Sequence, residues 1–308
     1  MKTLIAVLLS ILGLLTLEAP AVAQYGSPNY PRPTFSGPAH IPFESAKLAF
    51  WGESDATGYA SDWIYVSNDK IHQLMFQMPP GAFYRSSERL KVVNASDELW
   101  YVLNGSLMLN NPETGEVHRI NRGEAAFFRR DVWHHGFSYG TDLVRVIEFF
   151  APPPAAEGPV RYRESKPLLK EFKERQDHWL RRWPAAKPEA EGNFTMRVLR
   201  DSDILWRLEG QSRVGVLVST EHITAGEIVL LPGQKSDLHV HGGDESLYLL
   251  EGNLNVNTPE SLGQRSFLLK PEDGFYLPEG TPHQLVNMSD RPAKALFGVA
   301  PNYLPRRK

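Results

Sequence analysis

The feature that most constrains this chain is an internal repeat. Residues 98–109 read Glu-Leu-Trp-Tyr-Val-Leu-Asn-Gly-Ser-Leu-Met-Leu, and residues 245–256 read Glu-Ser-Leu-Tyr-Leu-Leu-Glu-Gly-Asn-Leu-Asn-Val. Further along, His134 is matched by His283 and Ala151-Pro152 by Ala300-Pro301 at almost the same offset. Landmarks that keep their spacing over more than fifty residues mark a duplicated structural unit. Whatever fold one copy adopts, the chain of 308 residues must hold two of them.

Each copy is written in short apolar runs, such as Trp63-Ile-Tyr-Val-Ser67 and Val144-Arg-Val-Ile-Glu-Phe-Phe150, rich in β-branched and aromatic residues and ended by Gly, Pro or Asn. Such runs predict strands, so the fold class is all-β. Between the copies, Leu168, Leu169, Phe172, Trp179, Leu180 and Trp183 recur at three-to-four spacing among charged residues. That periodicity predicts one amphipathic helix. The Pro-, Gly- and Ser-rich stretch before the first copy predicts an extended arm. The expected organisation is a leader over 1–23, an arm over 24–45, a first unit over 46–155, a helical connector over 156–192 and a second unit over 193–308.

The leader is expected from Lys2, the apolar stretch Leu4–Leu17 and the small-residue site Ala21-Val22-Ala23. This pattern predicts a secretory signal cleaved after Ala23, hence a secreted or periplasmic protein. No later segment reaches the roughly 20 apolar residues needed to span a bilayer, so no membrane association is expected after cleavage. The four Asn-x-Ser/Thr sequons, at Asn94, Asn104, Asn193 and Asn287, are read as chance matches. A formal charge of −3 gives no basic field, so no nucleic-acid partner is expected. Cysteine is absent altogether, which excludes disulfides, thiolate metal sites and thiol nucleophiles. Any metal must be held by His, Asp or Glu.

The second copy carries such a set. His239-Val-His241 places two imidazoles on one face of an extended segment, because side chains two apart point the same way. Glu245 returns after Gly242-Gly243, and His283 comes from a segment remote in sequence. Three imidazoles and one carboxylate suit one divalent first-row ion, Fe, Mn, Cu, Ni or Zn, and leave open positions on it for a small-molecule substrate. Tyr248, Tyr276, Gln284 and Asn287 are candidate pocket residues beside it. The first copy retains Glu98 and His134 but has Val92 and Asn94 in place of the His-x-His pair, too few donors for a tight metal site. A metal-free first unit, kept for packing and dimer formation, is therefore expected, with Trp133, His134 and His135 as core or pocket lining.

These motifs resemble the cupin superfamily, and in particular its two-domain bicupins. The pattern falls on Gly233, His239, His241, Glu245 and Gly252, then on Pro278, Gly280, His283 and Asn287; Glu272 stands where a glycine is usual, with Gly274 expected to take over the turn. The resemblance implies two tandem double-stranded β-helix (jelly-roll) barrels, the second with a metal in its mouth. It also implies a metal-dependent enzyme acting on a small oxygenated substrate. A dioxygenase-type oxidoreductase is the first expectation. A redox-neutral decarboxylase, lyase, isomerase or aminohydrolase is the alternative, and a non-catalytic binding or storage protein the third. Homo-oligomerisation is left open.

Overall fold

The structure, a computed structural model of the chain, describes residues 23–24, 30–52, 58–85, 94–112, 114–152, 195–259 and 266–305. The leader up to residue 22, the connector over 156–192, Val92 and Asn193 lie outside the described residues. Among the described residues no helix is long and apolar enough to cross a membrane.

The duplication predicted from sequence is a duplication of topology. In the first unit one sheet runs, in spatial order, through Lys47–Trp51, Ala60–Ser67, His72–Met78, Val144–Ala151, Asp97–Asn104 and Ala125–Phe128. In the second, Leu205–Glu209, Ser212–Ser219, Thr224–Leu230, Ala293–Ala300, Asp244–Glu251 and Gly274–Leu277 follow in the same order. Even a register shift recurs, between Ile64 and Val66 in one copy and between Val216 and Val218 in the other. Each large sheet is matched by a smaller antiparallel one, Phe83–Tyr84, His135–Ser138, Ser106–Asn111 and Glu116–Asn121 in the first unit and Ser266–Leu269, Leu254–Asn257 and Gln284–Val286 in the second. The order of strands fits the two-sheet jelly roll.

The expected boundaries between units are crossed by an exchange of edge strands. Ala39–Ile41, in the stretch expected to be an arm, pairs antiparallel with Gly274–Tyr276 of the second barrel. Met196–Leu199, expected to open the second unit, pairs with Ala125–Phe128 of the first. Sequence composition hides both: three or four residues are too short for a visible alternation, and each strand buries one side chain, Ile41 or Met196, in a core. The exchange also covers an open edge of each sheet, which would otherwise invite foreign strands.

Among the described residues three apolar clusters form. One fills the first barrel around Trp100, Phe128 and Val146, and one fills the second around Leu247, Phe275 and Phe297. The third lies between the barrels and draws on both copies, with Tyr65, Met75, Ile147 and Phe149 meeting Tyr248, Tyr276 and Leu296. Polar contacts at this interface repeat with the pseudo-symmetry. Asp97 accepts from Thr220 Oγ1 at 2.7 Å, and its counterpart Asp244 accepts from Asn68 Nδ2 at 2.7 Å and from Lys70 Nζ at 2.9 Å. The Asp244 carboxyl lies below its ordinary range: burial would raise it, but Tyr276, Lys70 and the Glu279 amide outweigh burial.

One turn differs from its sequence expectation. Glu272 itself adopts the left-handed conformation, with φ of 75°, where the first barrel has Gly123 at 83°. Gly274 does not take over the turn. It lies in a strand where a Cβ would collide with the Tyr65 ring across the interface. Glu272 is held in place by Arg145 Nη1, which donates to its carboxylate at 2.6 Å, and by Tyr65 Oη, which donates to its carbonyl at 2.8 Å. Contacts from the other barrel thus offset the strain that a non-glycine residue carries there, on the order of 1–2 kcal/mol.

Candidate metal centre

His239 and His283 face each other across an antiparallel backbone bridge, with N–H to carbonyl distances of 3.0 and 2.9 Å in the two directions. This bridge brings residues forty-four apart in sequence side by side. His241 lies two residues beyond, on the same face, and Glu245 returns through Gly242-Gly243. Side chains at these glycines would run into the carbonyls of Leu304 and Ala300, so the tight return requires glycine at both.

The three imidazoles form a compact cluster, with ring centroids 4.1 Å apart for His239–His283, 5.1 Å for His239–His241 and 5.6 Å for His241–His283. Each Nδ1 contacts a backbone carbonyl, Asp237 at 2.8 Å, Tyr303 at 2.7 Å and Thr281 at 3.0 Å for His239, His241 and His283. A carbonyl can only accept, so Nδ1 carries the proton and the Nε2 lone pair is left bare. Ligand atoms of the three histidines lie within 4.8 Å of one another. Carbonyl-anchored imidazoles of this kind are the usual second layer of a metal site.

Glu245 completes the set. Its Oε2 is 3.0 Å from His283 Nε2 and 3.7 Å from His241 Nε2, and both Oε2 and His283 Nε2 are buried without a hydrogen-bond partner. Two atoms that both offer lone pairs, held this close away from water, call for a cation between them. The residues present therefore fit a divalent ion. Burial would raise the Glu245 carboxyl, but the imidazoles of His283, His241 and His239 outweigh it and hold the group down at about 2. His283 is raised from its ordinary value, because the Glu245 carboxylate outweighs its burial, whereas burial and the neighbouring His283 lower His239. His241, Glu245 and His283 are buried and His239 is half-buried, so the set opens to solvent on the His239 side.

The first barrel keeps the framework with a different set of donors. His134 Nδ1 contacts the Val132 carbonyl at 3.0 Å, as His283 does with Thr281, and its Nε2 is 4.0 Å from Glu98 Oε2. Here, however, Asn94 Nδ2 donates to Glu98 Oε1 at 2.6 Å and Trp100 Nε1 donates to Oε2 at 3.1 Å. Both carboxylate oxygens that a cation would share are already occupied. Trp133 and His135 are buried in the same barrel.

The four expected pocket residues are all engaged elsewhere. Tyr248 has the opposite strand parity to Glu245 and Leu247 and packs edge-on against Tyr65, 5.6 Å between centroids, in the inter-barrel cluster. Tyr276 also belongs to that cluster and donates its hydroxyl to Asp244 at 2.5 Å. Gln284 Nε2 donates to the Ser236 carbonyl at 2.9 Å, and Asn287 Nδ2 ties the carbonyls of Leu230 and Arg291 at 3.0 and 2.7 Å. A period-2 pattern alone does not say which face of a strand looks inward. With the sequon residues Asn94 and Asn287 buried and their amides bonded, neither is presented as a surface acceptor.

Sequence reasoning missed Tyr303. Its carbonyl anchors His241, its ring lies 4.4 Å from the His241 ring, and its hydroxyl donates to Glu209 at 2.9 Å. It stands beyond the repeat in the tail after Pro301, where no periodic signal marks it.

Comparison with known proteins agrees with this geometry. Residues 226–299 match the family described as Cupin domain. A search of curated proteins by sequence gives no match. Among solved structures, a Pseudomonas aeruginosa protein named as glyoxylate-induced is similar over 93% of this chain and 97% of its own, with a TM-score of 0.60 and 14% identity. The Lactobacillus farciminis oxalate decarboxylase formate complex is similar over 88% of each chain, TM-score 0.58, at 14% identity. Oxalate decarboxylase from Bacillus subtilis is similar over 87% of this chain and 77% of its own, TM-score 0.56, at 14% identity. At such identities the likeness speaks for the fold. The second barrel thus matches the cupin domain over residues 226–299, and the chain as a whole has the two-barrel fold of these bicupin structures.

Proposed function

We propose that the second barrel is a mononuclear divalent-metal centre of an enzyme that acts on a small oxygenated acid by redox-neutral chemistry, with decarboxylation as the leading reaction. The observation that carries this is the convergence of three bare Nε2 atoms and the unpartnered Glu245 oxygen. His239, His241, Glu245 and His283 would hold the ion, which supplies Lewis-acid charge to a bound carboxylate or carbonyl when present. Three neutral imidazoles and one carboxylate leave a site of net charge +1, suited to an anionic substrate.

The first expectation, dioxygenase chemistry, is displaced by its alternative. The similar structures quoted above include two oxalate decarboxylases, and none of the three is named as an oxygenase. In decarboxylation the C–C bond to the departing carboxylate breaks, its electron pair stays on the remaining fragment, and a proton takes the place of CO2. Glu245 is held ionised and would be a ligand of the ion, so it would not deliver that proton; delivery would fall to the His239 side, where the set meets solvent.

The test loads the full chain separately with Mn, Fe and Zn and supplies small mono- and dicarboxylates with and without dioxygen. CO2 release without oxygen uptake, lost in His239→Ala, is the expected result. Oxygen uptake in proportion to product restores the oxygenase reading. Stoichiometric metal without turnover on any acid favours the binding or storage reading.

A further inference from the structure

The first barrel, metal-free by its donor set, is not merely packed. Its interior holds a partly open cavity of about 50 Å³, room for roughly four waters. Two buried carboxyls line it, Asp62 from one side of the large sheet and Glu148 from its centre, with the aromatic rings of Trp51, Phe76, Tyr84 and Trp100 around them. The rings form a box: Phe76–Trp100 are 5.3 Å apart, Trp51–Tyr84 5.7 Å and Tyr84–Trp100 5.9 Å between centroids.

The repeat shows that these acids are not structural necessities. By the shared register, the second barrel has Val214 where the first has Asp62, and Phe297 where it has Glu148; both are core residues there. A carboxyl in such a position costs stability unless something compensates it. Among the described residues, the hydrogen bond that Asp62 receives is a long one from Tyr30 Oη at 3.3 Å. The Tyr84 hydroxyl, on a residue 5% exposed, borders the same space, feels both Glu148 and Glu98, and has no hydrogen-bond partner. Among the described residues no Lys or Arg lines the cavity, which disfavours an anion. A metal is disfavoured because Glu98 is saturated by Asn94 and Trp100, leaving His134 as the one imidazole on the wall among the described residues.

We propose that the first barrel is a binding site for a small organic cation of the alkylammonium class, held by Asp62 and Glu148 inside the aromatic box of Trp51, Phe76, Tyr84 and Trp100. Ammonium groups are attracted to ring faces as well as to carboxylates, and that attraction grows when the site excludes water. Without such a cation the acids keep their protons: burial pushes Asp62 and Glu98 up to about 8 and Glu148 well above its ordinary range. The cavity admits an ion of only a few heavy atoms.

The test is calorimetric titration of the full chain with methylammonium, propylammonium and tetramethylammonium chlorides, against 1-propanol and propionate as neutral and anionic controls. Binding of at least one ammonium ion, at least about tenfold tighter than either control, is expected. Glu148→Gln should weaken it about tenfold or more. Asp62→Val installs the residue that the second barrel carries at the matching position, so it tests the same point in a fold-compatible form and should also lose binding. His239→Ala, in the other barrel, should leave it unchanged. The proposal is overturned if no ammonium ion binds, if 1-propanol binds equally well, if either first-barrel variant binds like the parent, or if His239→Ala abolishes binding.

Discussion

Glu98 and Glu245 occupy the same position in two copies of one barrel, yet they live in opposite charge states. Glu245 faces three imidazoles with bare lone pairs and is held at about 2. Glu98 faces an amide and an indole, and burial outweighs these two donors to push it up to about 8. The backbone is common to both, down to the carbonyl that fixes His134 and His283. What differs is the set of neighbours: Asn94, four residues before the glutamate, and Trp100, two after it, in one copy, and His241 and Leu247 at the matching positions in the other. A few substitutions on a shared scaffold decide whether the carboxylate faces bare imidazoles or is closed by hydrogen bonds.

The largest expected effect follows from removing a ligand in the second barrel. His241→Ala should lower divalent-metal affinity by more than about 100-fold, since losing a mere hydrogen-bond partner of a ligand typically costs 10–100-fold. Asn94→Ala, at the matching place in the first barrel, should leave metal content unchanged. Elemental analysis of both purified variants checks the pair; equal metal loss in both would erase the distinction drawn here.

The pH behaviour of the two barrels should run in opposite directions. Metal binding needs neutral imidazoles, and His283 is raised by Glu245, so metal should be lost as pH falls through the histidine range while Glu245 stays ionised. For Glu98 the folded pKa, about 8, lies above that of an unfolded glutamate, roughly 4.3. Its contribution is fully present below the unfolded value and is lost as pH rises through about 8. Denaturant titrations across this range should show the parent losing stability relative to Glu98→Gln as pH rises. Parallel curves would mean that Glu98 titrates normally.

A smaller effect concerns the hydrogen bond that closes the first site. Asn94→Ala leaves Glu98 Oε1 buried without its donor, which should cost about 1–3 kcal/mol of stability. Chemical denaturation monitored by tryptophan fluorescence reads it, and a cost near zero would show that water replaces the amide.

The metal ligands were legible in the sequence because they obey two simple rules, parity along an extended segment for His239 and His241 and a repeat that aligns His283 with His134. The duplicated all-β fold was legible for the same reason. Features that depend on the contact between barrels were not. Tyr248 and Tyr276 look like pocket residues until the second barrel's outer face is seen to be buried by the first. Ala39–Ile41 is unreadable as a strand because its partner lies more than two hundred residues away. Asp62 and Glu148 sat in apolar runs as isolated polar residues, and only the strand register shows that their counterparts are Val214 and Phe297.

The finest contrast lies in the turn before the last ligand. Gly280 and Asp131 hold matching positions with φ of 74° and 65°, so the same left-handed turn is built from glycine in the metal barrel and from aspartate in the other. A Cβ at Gly280 would meet nothing, so Gly280→Ala tests backbone conformation alone and should cost about 1 kcal/mol. Asp131→Gly removes the same strain but frees the unfolded chain and gives up a long ion pair with Arg130 at 3.5 Å, so its gain should stay below about 1 kcal/mol. Asparagine and aspartate tolerate this region better than alanine, so an aspartate can hold the turn in the first barrel. Because the Gly280 amide also donates to the His241 carbonyl at 3.0 Å, Gly280→Ala should weaken metal binding slightly as well, whereas Asp131→Gly should not. Thermal denaturation of both variants with and without added metal reads all three expectations, and an Asp131→Gly protein whose melting becomes more sensitive to metal would mean the two barrels are coupled through their interface.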